Sequence, residues 1–224
     1  KISLVMEVEG VVSWLVSDCA GSFLGAWLMP HVVLNSALIE QPVEFVATAS
    51  FLVFVGRLTF FLIVCPRKHL GLIDSMSLFA FVVQAVFTVE VGACLMHAVV
   101  VLFGAPATEL VVHTLALSHF LSTLVFLNVA FAHSSKSQHF IEKGYNFLVK
   151  RNCHSIMDTC LLVQAYGTVF GAWIGAFPIP LDWDRPWQRW PVTILYGAWM
   201  GYGVSCIGLV FYALYQQYSV KEKH

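Results

Sequence analysis

"IMDTCLLVQAYGTVFGAWIGAFPIPLDWDRPWQRWP", residues 156–191, opens as an apolar run long enough to cross a bilayer and closes as something quite different. A spanning helix needs about 20 mostly apolar residues, which 156–180 supplies. Four of the chain's eight prolines follow close together (Pro178, Pro180, Pro186 and Pro191), with Trp183, Trp187, Trp190 and the charges Asp182, Asp184, Arg185 and Arg189. Proline lacks the backbone donor and clashes with the preceding turn, so Pro178 and Pro180 end the span. Pro186 and Pro191 stiffen the exit, and indole rings suit the half-wet interface of a membrane. The stretch therefore reads as a rigid hairpin, 181–190, between two spans.

The rest of the chain agrees. Over 224 residues it is 58% apolar and 11% charged, with a mean hydropathy of +0.77. Soluble domains carry roughly 25% charge, so too little polar surface exists to cover a water-soluble globule. A net charge of −1 argues against nucleic acid, which calls for a basic face. Six stretches are long and apolar enough to span: 10–30, 43–65, 77–103, 109–132, 156–180 and 191–215. The expectation is an all-α membrane protein, one transmembrane domain over 1–224. The first stretch is long, carries Asp18 and is followed by no small-residue cleavage site, so it reads as a span rather than a cleaved signal peptide.

Orientation follows from lysine and arginine in the connections. One side holds Lys1, Arg67, Lys68, Lys136, Lys143, Lys150, Arg151, Lys221 and Lys223; the other holds Arg185 and Arg189. Nine against two places both termini in the cytosol and the tryptophan hairpin on the lumenal face. Within the basic cytosolic loop, 133–155, Lys136, Lys143 and Lys150 recur every seven residues, opposite Phe140, Phe147 and Leu148. That pattern suits a short helix on an anionic leaflet, although topology-setting charge is the simpler reading.

Two features of the spans carry further information. Gly167, Gly171 and Gly175, then Gly197 and Gly201, recur at four-residue spacing, and Gly21 and Gly25 repeat the pattern. Such small-residue tracks let backbones approach closely, where lipid offers no hydrophobic drive between helices. They serve either packing within the bundle or docking of a foreign helix. Ionisable groups inside spans are costly and so are functional candidates. Here they are Asp18, Arg57, Glu90, His97, His113, His119 and Asp158. An internal ion pair of Arg57 with Asp18 or Glu90 is the economical account, and the histidines match no metal-ligand spacing. Six cysteines without a CxxC, four of them within spans, read as small apolar fillers.

The hairpin with its approach, "GAWIGAFPIPLDWDRPWQRWP", closely resembles the hallmark of the PIG-F family of glycosylphosphatidylinositol (GPI) anchor biosynthesis. "VLFGAPATEL", 101–110, with "LST" at 121–123, is similar to the family's turn between spans three and four. Asp184 departs conservatively from the family's glutamate. The resemblance implies a multi-pass endoplasmic reticulum protein that is not itself a transferase. It would stabilise a large ethanolamine-phosphate transferase of the PIG-O or PIG-G type, which moves phosphoethanolamine from phosphatidylethanolamine to GPI-precursor mannoses. No cofactor is implied in this chain; a divalent metal, zinc, is expected in the partner. Site residues would then be the glycine tracks for helix packing or docking and the motif Pro178, Pro180, Asp182, Trp183, Asp184, Arg185, Pro186 and Trp187, with no catalytic residue. Two alternatives are a lipid carrier or scramblase with Asp18, Arg57 and Glu90 lining a polar path, and a small intramembrane transferase using Asp182, Asp184 and Arg185.

Overall fold

The computed structural model describes residues 2–23, 40–64, 78–132, 140–151, 153, 156–181, 183 and 185–222. These form seven α-helices: α1 (Ile2–Phe23), α2 (Pro42–Val64), α3 (Leu78–Leu102), α4 (Val111–Ala132), α5 (Phe140–Leu148), α6 (Ile156–Ala176) and α7 (Val192–Glu222). A 3-10 turn, Pro186–Gln188, sits in the hairpin, and no strand occurs among the described residues.

Five helices, α2, α3, α4, α6 and α7, are long and apolar enough to cross a membrane. Their bounds lie within a few residues of expectation, except that α7 runs on past 215 to Glu222. Helix α6 stops at Ala176 rather than 180, because the residue before a proline is pushed out of the helical region. Helix α1 starts at Ile2 instead of near residue 10, and 24–30 lies outside the described residues. Its earlier start brings in Glu7 and Glu9 beside Asp18, and it is not among the five.

The α4 sequence explains its central place. It packs on α2, α3 and α6, and its Thr114, Ser118, Ser122, Thr123 and Asn128 are all buried. Burying hydroxyls is cheap when each returns a hydrogen bond to the helix's own backbone. Ser118 donates to the Thr114 carbonyl at 2.6 Å and Thr123 to that of His119 at 2.9 Å. Ser122 reaches across instead, to the Val89 carbonyl at 2.6 Å, tying α3 to α4. The α3–α4 connection turns on Gly104, whose φ of 96° suits glycine after a helix C-terminus.

Two apolar layers fill the interior. One gathers Trp14, Phe61, Phe81, Leu127, Phe131 and Leu161, with Phe61 and Phe131 stacked at 4.1 Å. The other gathers Phe45, Phe120, Leu124, Leu195 and Tyr202. The outer faces are apolar too: Phe79 and Phe103 are 78% and 79% exposed, and Met200 and Phe211 68% each. A chain with apolar residues on both sides of its helices has lipid as its solvent.

The basic loop does contain a helix, α5. Its Phe147, expected to face away from the lysine row onto the leaflet, is buried in the first apolar layer instead. Tyr166 of α6 donates to the Leu148 carbonyl, pinning the end of α5 to the bundle.

Candidate functional site

Between the two apolar layers lies an ionic hub. Arg57 of α2 donates through Nε to Asp18 Oδ1 of α1 at 2.7 Å, and both side chains are 1% exposed. Its Nη1 reaches the Thr123 and Leu124 carbonyls of α4 at 3.1 and 3.4 Å, and Nη2 donates to Asn128 Oδ1. Asp18 also accepts from the Tyr202 hydroxyl of α7 and from Gln164 Nε2 of α6 at 3.2 Å. Asn128 in turn donates to the Leu161 carbonyl at 2.8 Å. The guanidinium sits over the rings of Tyr202 and Phe131, at 5.3 and 5.7 Å. A buried arginine is tolerable only when its donors are satisfied and its charge is matched, and here five helices share that task. Asn128, Gln164 and Tyr202 carried no sequence signal of their own; a polar residue inside an otherwise apolar span was the available clue.

Glu90 takes no part in this hub. It lies on the outer side of α3, where its Oε1 pairs with His119 Nε2 of α4 at 3.2 Å. Asp18, Arg57 and Glu90 therefore do not line one path: two close on each other inside the bundle and the third faces outward.

The glycine tracks meet one another. A Cβ on Gly171 would lie 2.9 Å from the Gly201 Cα, and one on Gly197 would lie 2.8 Å from the Gly175 Cα. Gly167 faces Ser205 and the Gly201 carbonyl at similarly close range. Each track is thus filled by the other, α6 against α7, and a foreign helix would have to displace one of them. Gly21, Gly203 and Gly208 have open space where a side chain would stand, and Gly25 lies outside the described residues.

The hairpin is organised by Gln188, a residue that the sequence reading passed over. Its Nε2 donates to the Pro178 and Leu181 carbonyls at 2.8 and 2.7 Å, and its Oε1 accepts from the Arg185 backbone at 2.9 Å. The same two carbonyls also accept backbone donors, Pro178 from Leu181 N–H at 3.2 Å and Leu181 from Trp183 N–H at 2.9 Å, so the amide side chain braces a turn that the backbone has already closed. Trp183 and Trp187 are exposed and meet edge to face at 5.7 Å. Trp190 points inward, donating to Thr114 Oγ1 at 3.1 Å; that hydroxyl's own hydrogen is shared between the Pro106 and Leu110 carbonyls. The hairpin and the 101–110 turn, far apart in sequence, therefore form one plate at the same end of the bundle. Asp182 and Asp184 lie outside the described residues. Among the described residues no group of histidine, cysteine, aspartate and glutamate could hold a metal, and the cysteines at 19, 94, 153, 160 and 206 are free thiols.

Replacing Gln188 with alanine is expected to loosen the hairpin locally. Losing its partly exposed bonds costs about 1–2 kcal/mol. Faster hydrogen exchange at the amides of Ile179 and Leu181, with α6 and α7 unchanged, is the measurable result.

The fold and site define a helical membrane protein, with five helices long and apolar enough to span, whose buried charges join helices to each other and whose one end is capped by an aromatic plate. A family model described as "GPI biosynthesis protein family Pig-F" matches residues 28–209, most of the chain, and the chain belongs to this family. It is 28% identical over 200 residues to the mouse "GPI ethanolamine phosphate transferase, stabilizing subunit", covering 89% of this chain and 88% of that protein. It is 35% identical over 143 residues to "Glycosylphosphatidylinositol anchor biosynthesis protein 11" of Yarrowia lipolytica, covering 64% and 58%. With the "PIGF/3-ketodihydrosphingosine reductase fusion protein" of Schizosaccharomyces pombe it shares 36% identity over 117 residues, 52% of this chain and 22% of the fusion. The matched region thus spans under two thirds of either fungal protein. No solved structure matches the chain.

Proposed function

We propose that this chain is a non-catalytic stabilising subunit of GPI ethanolamine-phosphate transferase complexes in the endoplasmic reticulum membrane, supporting phosphoethanolamine transfer from phosphatidylethanolamine to GPI-precursor mannoses. The observation that carries it is the near full-length similarity to a mouse protein named as the stabilizing subunit of such a transferase. The geometry supports the reading, since the intramembrane charges Asp18 and Arg57 are spent on holding five helices together. The partner is a large transferase of the PIG-O or PIG-G type, which holds the catalytic metal.

In this reading α1 is the sixth span. Arg57 neutralises Asp18 inside the bundle, which removes the cost of carrying that acid into lipid. Both termini then lie in the cytosol, by the distribution of lysine and arginine. The plate of Trp183, Trp187 and Trp190 faces the lumen, under the partner's catalytic domain.

Cells deprived of the chain test the proposal. Transferase abundance, measured by quantitative blotting, should fall several-fold and return when the chain is restored. The purified chain alone should move no phosphoethanolamine onto a GPI precursor. Transfer by the isolated chain, or unchanged transferase levels without it, would overturn the reading.

A further inference from the structure

Helix α3 is the outlying long helix among the described residues, packing chiefly on α4 and touching α2 where Phe81 stacks on Phe61 at 5.9 Å. Glu90 stands at its middle, twelve residues from either end, which is about 18 Å at 1.5 Å per residue. Its side chain is 60% exposed on the molecular surface, and that of its companion His119 is 37% exposed. A carboxylate facing hydrocarbon at that depth is expensive, and intramembrane acids almost always face protein or a water-filled cavity. One heptad further along the same face, His97 Nδ1 is shut off from solvent without a hydrogen-bond partner among the described residues. Toward the C-terminal end of α3 the exposed residues one and two turns from Glu90, Cys94 and Ala98, are small, so another helix can come close there, while Val86 and Phe87 stand exposed one turn the other way.

We propose that the Glu90–His119 edge of α3 and α4 receives a membrane-spanning helix of the partner transferase, which brings a lysine or arginine to Glu90 at mid-bilayer depth. The partner's identity rests on the function proposed above; the need for a cation-bearing helix rests on the geometry. A lipid headgroup does not fit, because an ammonium at the interface sits about 15 Å from the midplane of a 30 Å hydrocarbon core. A second copy of this chain does not fit either. It would set Glu90 against Glu90, and the intramembrane cation Arg57 is already held by Asp18.

The test places a photoreactive residue at Cys94, and a control at Trp173 on the outer face of α6, in the full chain within its native membrane. Position 94 should cross-link to the transferase and position 173 should not. Glu90→Leu should lower co-purified transferase at least tenfold, and Glu90→Asp by much less, with the chain's own melting temperature unchanged. Should Glu90→Leu lower that temperature, the cross-link from position 94 decides alone. Cross-linking at 94 only to lipid or to a second copy, or wild-type recovery of transferase by Glu90→Leu, overturns the docking surface. Capture of the transferase through position 173 rather than 94 also overturns it, but keeps the stabilising role. A cross-link from 94 to a different identified membrane protein keeps the surface and overturns the transferase as its occupant.

Discussion

Gly171→Leu should cost the bundle its α6–α7 seam. A Cβ at this position already lies 2.9 Å from the Gly201 Cα and still closer to the Gly197 carbonyl, both of them backbone with no freedom to rotate away. The two helices must separate, and in lipid nothing but close packing and weak polar contacts draws them together. The expected loss is roughly 3 kcal/mol, the upper end of the cost of overpacking a core. It should be read as a lower melting temperature in detergent and a lower yield of the chain itself. Gly203→Leu and Gly208→Leu, both on α7, meet open space and should leave both quantities unchanged. Equal effects at all three positions would show that the seam is not the source. Under the proposed function, loss of the transferase in the Gly171→Leu variant would follow from loss of this chain, so such a loss says nothing about where the partner docks.

Arg57→Leu should be comparably damaging, for an electrostatic reason. It strands Asp18 inside the bundle with Tyr202 and Gln164 as its remaining partners, and removing one member of a buried pair costs about 3–5 kcal/mol. Asp18→Asn leaves the opposite charge in place with no anion beside it, held by the Thr123 and Leu124 carbonyls, Asn128 and the faces of Tyr202 and Phe131. Each single variant should therefore lower stability sharply, whereas the pair Asp18→Asn with Arg57→Leu should recover much of the loss, because no charge remains to be buried. Thermal unfolding of the three variants in one detergent checks this. A double variant as unstable as the sum of the singles would mean that shape, not charge balance, holds the hub together.

The same residues show how far the sequence could be read. Hydropathy and proline placement located α2, α3, α4, α6 and α7 to within a few residues at most ends, because in a membrane the length of an apolar run is itself the signal. The "FPIPLDWDRPWQRWP" stretch announced a rigid hairpin and, through resemblance, a family. Pairing was another matter. Spacing of Gly167, Gly171 and Gly175 shows that a helix has a flat face, but a face records nothing about what covers it; only the fold shows that Gly197 and Gly201 do. Arg57 had two acids to choose from by sequence, and three-dimensional proximity selected Asp18 and turned Glu90 outward. Gln188 and Thr114 were silent because their bonds run to backbone carbonyls and to an indole, partners that no local pattern encodes. Solvent preference is a sum over residues and can be read along a line; contact is a relation between distant points, and the chain had to fold before it existed.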